Sequence, residues 1–196
     1  MGQQDNFMVF QSLFLNKNKG FTLAELLIST AIIVILLAFS FWAYQGRGQG
    51  GIIIGRSSNL VITRAENTKE MAISTREIYG IVPSGGYGIN FSLSNPYSFR
   101  VFADCNGNHI LDLSGNPCNG HPELIEEVLL EKGVKISSAS SNILNVTFEP
   151  PSPRVFFYTG AAEISSPRVY IDLVFESQPS FSRKIYFDKS GLVYEQ

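Results

Sequence analysis

The stretch Lys19-Gly20-Phe21-Thr22-Leu23-Ala24-Glu25-Leu26-Leu27-Ile28 decides how the rest of the chain is read. It closes a short polar segment carrying Lys17 and Lys19 and opens an apolar run from Phe21 to Tyr44. About 24 helical residues at ~1.5 Å each give ~36 Å, enough to cross a hydrocarbon core of ~30 Å. One carboxylate, Glu25, stands near the start of that run. A charge inside a bilayer helix costs at least ~2.5 kcal/mol unless it finds a partner, so Glu25 reads as functional. Lys17 and Lys19 precede the run, and by the positive-inside rule they keep residues 1–20 cytoplasmic and send the C-terminal part across.

Residues 7–15 are apolar, but no positive charge precedes them and Asn16 to Gly20 offers no small-x-small cleavage site. A secretory signal peptide is therefore disfavoured. Met1 and Met8 are both acceptable starts, and on either the leader lies outside the final fold.

The combination of Gly20, Phe21-Thr22-Leu23 and an acid at the fifth position after the glycine, leading into an apolar helix, resembles the type IV prepilins and the pseudopilins of type II secretion. The resemblance covers about 30 residues. It implies cleavage after Gly20 by a prepilin peptidase, which also methylates the new amino terminus of Phe21. It implies that Glu25 pairs with the Phe21 amine of a neighbouring subunit during filament assembly on an inner-membrane platform. An ammonium is a physically apt partner for a carboxylate withdrawn from water.

Whole-chain quantities agree with an anchored, exported domain. Of 196 residues, about 150 follow the apolar run, enough for one modest domain. Loss of residues 1–20 removes Asp5, Lys17 and Lys19, leaving 13 basic and 16 acidic residues of the original 15 and 17, a formal charge of −3. That balance argues against general attraction to nucleic acid. The two cysteines, Cys105 and Cys118, both fall in the exported part and are compatible with one disulfide or with free thiols.

Within the apolar run, Thr22, Ser29, Thr30 and Ser40 supply the hydroxyls that favour helix–helix packing. The expected organisation is a leader over 1–20, a transmembrane assembly helix over 21–45, and a glycine-rich linker or melted stem over 46–56. An amphipathic helix follows over 57–79, then a β-rich domain over 80–196. Each glycine costs a helix interior ~1 kcal/mol relative to alanine, so Gly46, Gly48, Gly50, Gly51 and Gly55 are expected to loosen the stem. Leu60, Val61, Ala65, Thr68, Ala72 and Thr75 recur at helical spacing, with Gly80 and Pro83 as the stop. Beyond them, alternating segments such as Tyr87–Leu93, Tyr97–Ala103 and Val169–Glu176 predict short strands. Glu149-Pro150-Pro151-Ser152-Pro153 is a loop or edge. The fold class is α+β: a long hydrophobic helix, then an amphipathic helix packed on a mostly antiparallel sheet, in one or two sheets. Tyr87-Gly88 and the Phe102-x-Asp104-x-Asn106-Gly107-Asn108 strand end resemble minor pseudopilins and minor pilins of the GspH/FimT type, which implies a low-copy subunit.

Several residues carry candidate chemistry. Asp104, Asn106, Asn108 and Asp112, with the Ile110 carbonyl, imitate the first nine positions of a calcium loop. Gly107 departs from that pattern at the fourth place, and Glu123 completes it only if the loop folds back. The competing reading is an Asn/Gly-rich turn held by its own side chains. His109 and His121 lie near the cysteines, but their spacing matches no closed zinc site. Arg183, Lys184 and Lys189, with Tyr186 and Phe187, offer a small DNA-contacting patch or an ordinary solvated strand. No nucleophile elbow, phosphate loop or His-Glu-x-x-His helix occurs, so no enzyme is expected. The function implied is that of a structural filament subunit. The rivals are a DNA-binding minor pilin for uptake and a membrane-anchored binding domain or enzyme.

Overall fold

The structure, a computed structural model, describes residues 22–47, 49–151, 154–160 and 162–196. The chain divides into two compact units, one ending at Gly46 and the other beginning at Arg47. In the first unit, α1 spans Leu23–Arg47, 25 residues or ~37 Å. Its segment Leu23–Phe41 is long and apolar enough to cross a membrane, and none of it is buried within the chain. Leu26, Leu27, Ile28 and Leu36, which point to different sides of the helix, are all largely exposed, so apolar surface is presented all round rather than along one stripe.

The second unit starts with α2, Gln49–Ile73. Among the described residues ten strands follow: β1 Gly86–Ser92, β2 Ser98–Asp104, β3 Leu124–Leu129, β4 Val134–Ala139, β5 Ile143–Glu149, β6 Arg154–Thr159, β7 Ala162–Glu163, β8 Arg168–Phe175, β9 Ser182–Asp188 and β10 Val193–Glu195. They form two antiparallel sheets, ordered β3-β2-β1-β5-β6-β7 and β10-β9-β8-β4. Both sheets pack on α2. The helix buries Ile54, Val61, Ala65 and Ala72 against Ile89, Phe91, Val146, Phe148, Ile171, Leu173, Ile185 and Phe187. Small residues on this face let the helix lie close to two sheets at once. The α+β architecture follows from the sequence pattern, and so does the Pro-rich turn, since β5 ends at Glu149 and β6 starts at Arg154.

Two boundaries and one short strand differ from expectation. The glycine-rich segment is not a break across 46–56, because Gly50, Gly51 and Gly55 lie inside α2. A Cβ at Gly50 would stand 2.9 Å from Phe181 Cδ2 and 3.0 Å from Phe175 Cδ1. Close packing of helix on aromatic rings thus offsets the propensity cost there. The helix also stops at Ile73 rather than 79. The Thr75 N–H donates to the Ala72 carbonyl at 3.0 Å and the Arg76 N–H to the Met71 carbonyl at 3.1 Å, with Thr75 at φ 46°. That is a Schellman termination, made here by threonine instead of the usual glycine. Thr75 consequently leaves the buried face and is exposed. The two-residue β7 is too short to carry a periodic signal.

Candidate functional site

At the start of α1, Thr22 and Glu25 form a reciprocal cap. The Thr22 N–H donates to Glu25 Oε2 at 3.0 Å, and the Thr22 hydroxyl reaches the same oxygen at 3.1 Å. The Glu25 N–H returns a bond to Thr22 Oγ1 at 3.2 Å. This is a capping box, which satisfies helix-end donors that lipid cannot. The signature, threonine followed three residues later by glutamate, stands in the sequence, so the cap adds a helix-starting contact to the assembly role that the resemblance implies for Glu25. Among the described residues, Glu25 Oε1 accepts no hydrogen bond. Further along, the Ser29 hydroxyl donates to the Glu25 carbonyl at 2.7 Å and that of Thr30 to the Leu26 and Leu27 carbonyls. The leader cleavage position, Gly20 and Phe21, lies outside the described residues.

The loop between β2 and β3 brings the oxygen-rich residues together, chiefly around backbone. Asp104, fully buried, accepts the N–H groups of Gly107 (2.8 Å) and Asn108 (3.1 Å) on Oδ1 and of His109 (2.8 Å) on Oδ2. Its room comes from Gly85, where a Cβ would fall 1.8 Å from Asp104 Oδ2. Asn108 Oδ1 accepts the Ile110 N–H at 2.8 Å, and Asp112 Oδ2 takes the side-chain amides of Asn106 and Asn108 at 2.7 and 2.8 Å. Glu123, also fully buried, folds back to accept the Cys105 N–H at 3.0 Å on Oε1 and the Asp112 N–H at 2.8 Å on Oε2. Burial pushes its carboxyl up to about 7, against the lowering effect of those two N–H bonds and with the charges of Asp104 and Asp112 adding to the rise. Among the described residues no three His, Cys, Asp or Glu side chains converge as metal ligands do. The arrangement has the form of the self-bonded turn.

Cys105 and Cys118 are disulfide-bonded, with Cα atoms 5.3 Å apart, and staple this loop. His109 stacks on Phe156 at 4.3 Å, whereas His121 stacks on Tyr79 at 4.0 Å, so the two imidazoles serve separate aromatic contacts. His109 Nδ1 also lies 3.2 Å from Thr147 Oγ1 and 3.3 Å from Asp104 Oδ2.

The basic trio is not brought into one patch. Arg183 pairs with Glu195, whose other oxygen takes the Ser58 hydroxyl of α2. Lys189 pairs with Glu163 at 3.3 Å, and Lys184 lies on the opposite face of β9 from Arg183, over the Tyr170 ring. Two of the three cations are thus neutralised locally, because strand alternation divides neighbours in sequence between faces.

Residues 15–41 match the family description "Prokaryotic N-terminal methylation motif". The chain therefore carries a prepilin-type cleavage and methylation motif at its N-terminal end. No curated protein and no solved structure matches the chain.

Proposed function

We propose that this protein is a structural filament subunit, a pseudopilin of type II secretion or a minor pilin of the type IV class. A prepilin peptidase cleaves after Gly20 and the Phe21 amine is methylated. α1 then packs with neighbouring subunits, while the β-rich unit lies outside the cytoplasmic membrane. The observation that carries the proposal is a fully exposed apolar helix with one acid, Glu25, in its first turn, beginning within the matched motif. Apolar surface all round a helix requires lipid or other helices. Glu25 caps its own helix through Oε2 and keeps Oε1 for a neighbour's ammonium, so cap and subunit pairing are compatible. The tyrosine–glycine strand and the Asp104 loop support the minor, GspH/FimT-like assignment.

The test is intact-mass analysis of the membrane-extracted protein with filament recovery, for wild type, Glu25→Ala and Glu25→Gln. The expected mass begins at N-methylated Phe21, and both variants are lost from filaments. Gln retains an oxygen for the cap but has no charge, so filaments formed normally by Glu25→Gln would overturn the pairing role. An unprocessed wild-type chain would overturn the subunit assignment itself.

A further inference from the structure

The outer face of the four-stranded sheet carries an arrangement that the filament role does not use. Tyr170, Tyr186 and Tyr194 stand side by side on β8, β9 and β10, with centroids 6.2 and 5.5 Å apart. Arg168 lies 5.5 Å from the Tyr186 ring centre, and Lys184 lies 4.7 Å from that of Tyr170. Among the described residues Arg168 and Lys184 belong to those cations that make no close ion pair; Tyr194 and the more distant Asp188 charge act on Arg168, and Asp172 lies opposite Lys184. Asp188, opposite Arg168 in the ladder, accepts the Ser190 N–H on Oδ1 at 2.8 Å and acts on Arg168 by charge at longer range rather than as an ion pair. Beside Arg168 a cleft of about 380 Å³ opens, walled by Ser140, Ser166, Tyr170 and Tyr186 over Ile164. The Ser140 oxygen accepts the Tyr170 N–H, which leaves its own proton to donate into the cleft.

We propose that this cleft binds an acidic saccharide unit, a uronate residue of a polysaccharide, with Arg168 receiving the carboxylate and the serine and tyrosine hydroxyls receiving the sugar hydroxyls. Size, an aromatic wall, a few convergent polar groups and one guanidinium outside any close ion pair are what such a ligand requires. A cross-strand tyrosine ladder serving stability alone needs neither a cleft nor such a cation. Single-stranded nucleic acid is the weaker fit. Base stacking needs open ring faces, but Tyr186 is covered by Arg168 and stacked on Tyr194, and Tyr170 is covered by Lys184.

The probe is tri-galacturonate, titrated into the full chain in detergent micelles by calorimetry and tyrosine fluorescence. The neutral galactose trisaccharide and a thymidine oligonucleotide serve as comparisons. Saturable binding of tri-galacturonate alone is expected. Losing one charge-assisted contact should weaken it at least ~10-fold in Arg168→Ala, with a smaller loss in Arg168→Lys and in Tyr170→Phe. All three variants should keep the wild-type melting curve. No saturable uronate binding, equal binding of the neutral sugar, or binding indifferent to Arg168→Ala would overturn the proposal. An oligonucleotide that binds more tightly through Arg168 would replace the saccharide with nucleic acid. None of these outcomes depends on filament incorporation, so failure here leaves the subunit assignment standing.

Discussion

Glu123 makes stability depend on pH in an unusual direction. Its carboxyl titrates near 7 in the folded protein and near 4.5 in the unfolded chain. Between those values the folded state holds the extra proton, so stability falls as pH rises through that window and levels off above it. At ~1.4 kcal/mol per pH unit the loss approaches ~3 kcal/mol, or ~6–12 °C in Tm for a domain of about 150 residues. Asp172, raised by burial, acts in the same direction at the acid end of the range. Glu127, Glu176 and Asp188 are lowered, chiefly by hydrogen bonds from Ser98, Tyr97 and Ser190 respectively. Their stabilisation is lost only as pH falls below the ordinary carboxylate range, so pH 5 to 8 separates Glu123 from these three carboxylates. The assay is a thermal melt of the full chain in detergent, followed by near-ultraviolet circular dichroism at pH 5, 6, 7 and 8, for wild type and Glu123→Gln. Wild type should lose Tm across the series, and the variant should be much flatter. Glutamine has one acceptor oxygen for the two N–H donors of Cys105 and Asp112, so the variant should also start lower at pH 5, by ~1–3 kcal/mol. Parallel curves for the two proteins would refute the assignment of this dependence to Glu123.

Two further outcomes test the fold. Gly55 sits in α2 with nothing within 4 Å of an added Cβ, so Gly55→Ala should raise stability by up to ~1 kcal/mol. Gly50→Ala should lower it by ~1–3 kcal/mol, because its Cβ meets Phe181 and Phe175. Melting curves of the pair decide whether the glycine-rich segment is helix, and equal effects would contradict α2. Replacing Cys105 and Cys118 together by serine opens a loop of about 14 residues and should cost ~3 kcal/mol. The same melts with and without reductant check it, and a wild-type chain indifferent to reductant would show that the staple does not contribute.

The parts of the fold legible in the sequence are those with a strong period. α1 follows from its unbroken apolar run, and β6, β8 and β9 follow from alternation, because their inward residues alone are buried; β1, β2 and β5 read as strands too, although the fold buries them on both faces. Boundaries escaped where tertiary contact overrode local preference. Gly50 is helical because two phenylalanines need its missing side chain, and those rings arrive from more than 120 residues away. Thr75 ends α2 in a conformation that threonine rarely adopts, and no residue-type signal announces it. In the loop, alternating oxygens imitate a cation cage, but a carboxylate whose two oxygens accept three backbone N–H groups and one that binds a cation have the same sequence. Only the direction of those N–H groups separates the two, and it depends on the positive φ values at Gly107 and His109. The basic trio failed as a patch for a simpler reason, the alternation of strand faces.

Glu25 is the residue where sequence and geometry together say more than either alone. From sequence, an acid in an apolar helix demands a partner, and a neighbouring subunit is the partner implied. The geometry adds that the acid already has one within its own chain: both Thr22 donors converge on Oε2. Before assembly the carboxylate is therefore partly satisfied by its own helix end, which lowers the cost of holding it near the membrane interface. It also fixes the side chain against the first turn, where a neighbour's amino terminus would meet Oε1 without the cap opening. On the proposed reading, threonine at 22 and glutamate at 25 form one unit with two tasks, starting the helix and presenting the carboxylate oxygen, Oε1, that the cap leaves open. A glutamate without the threonine would still carry the charge but would lose the restraint on where it points.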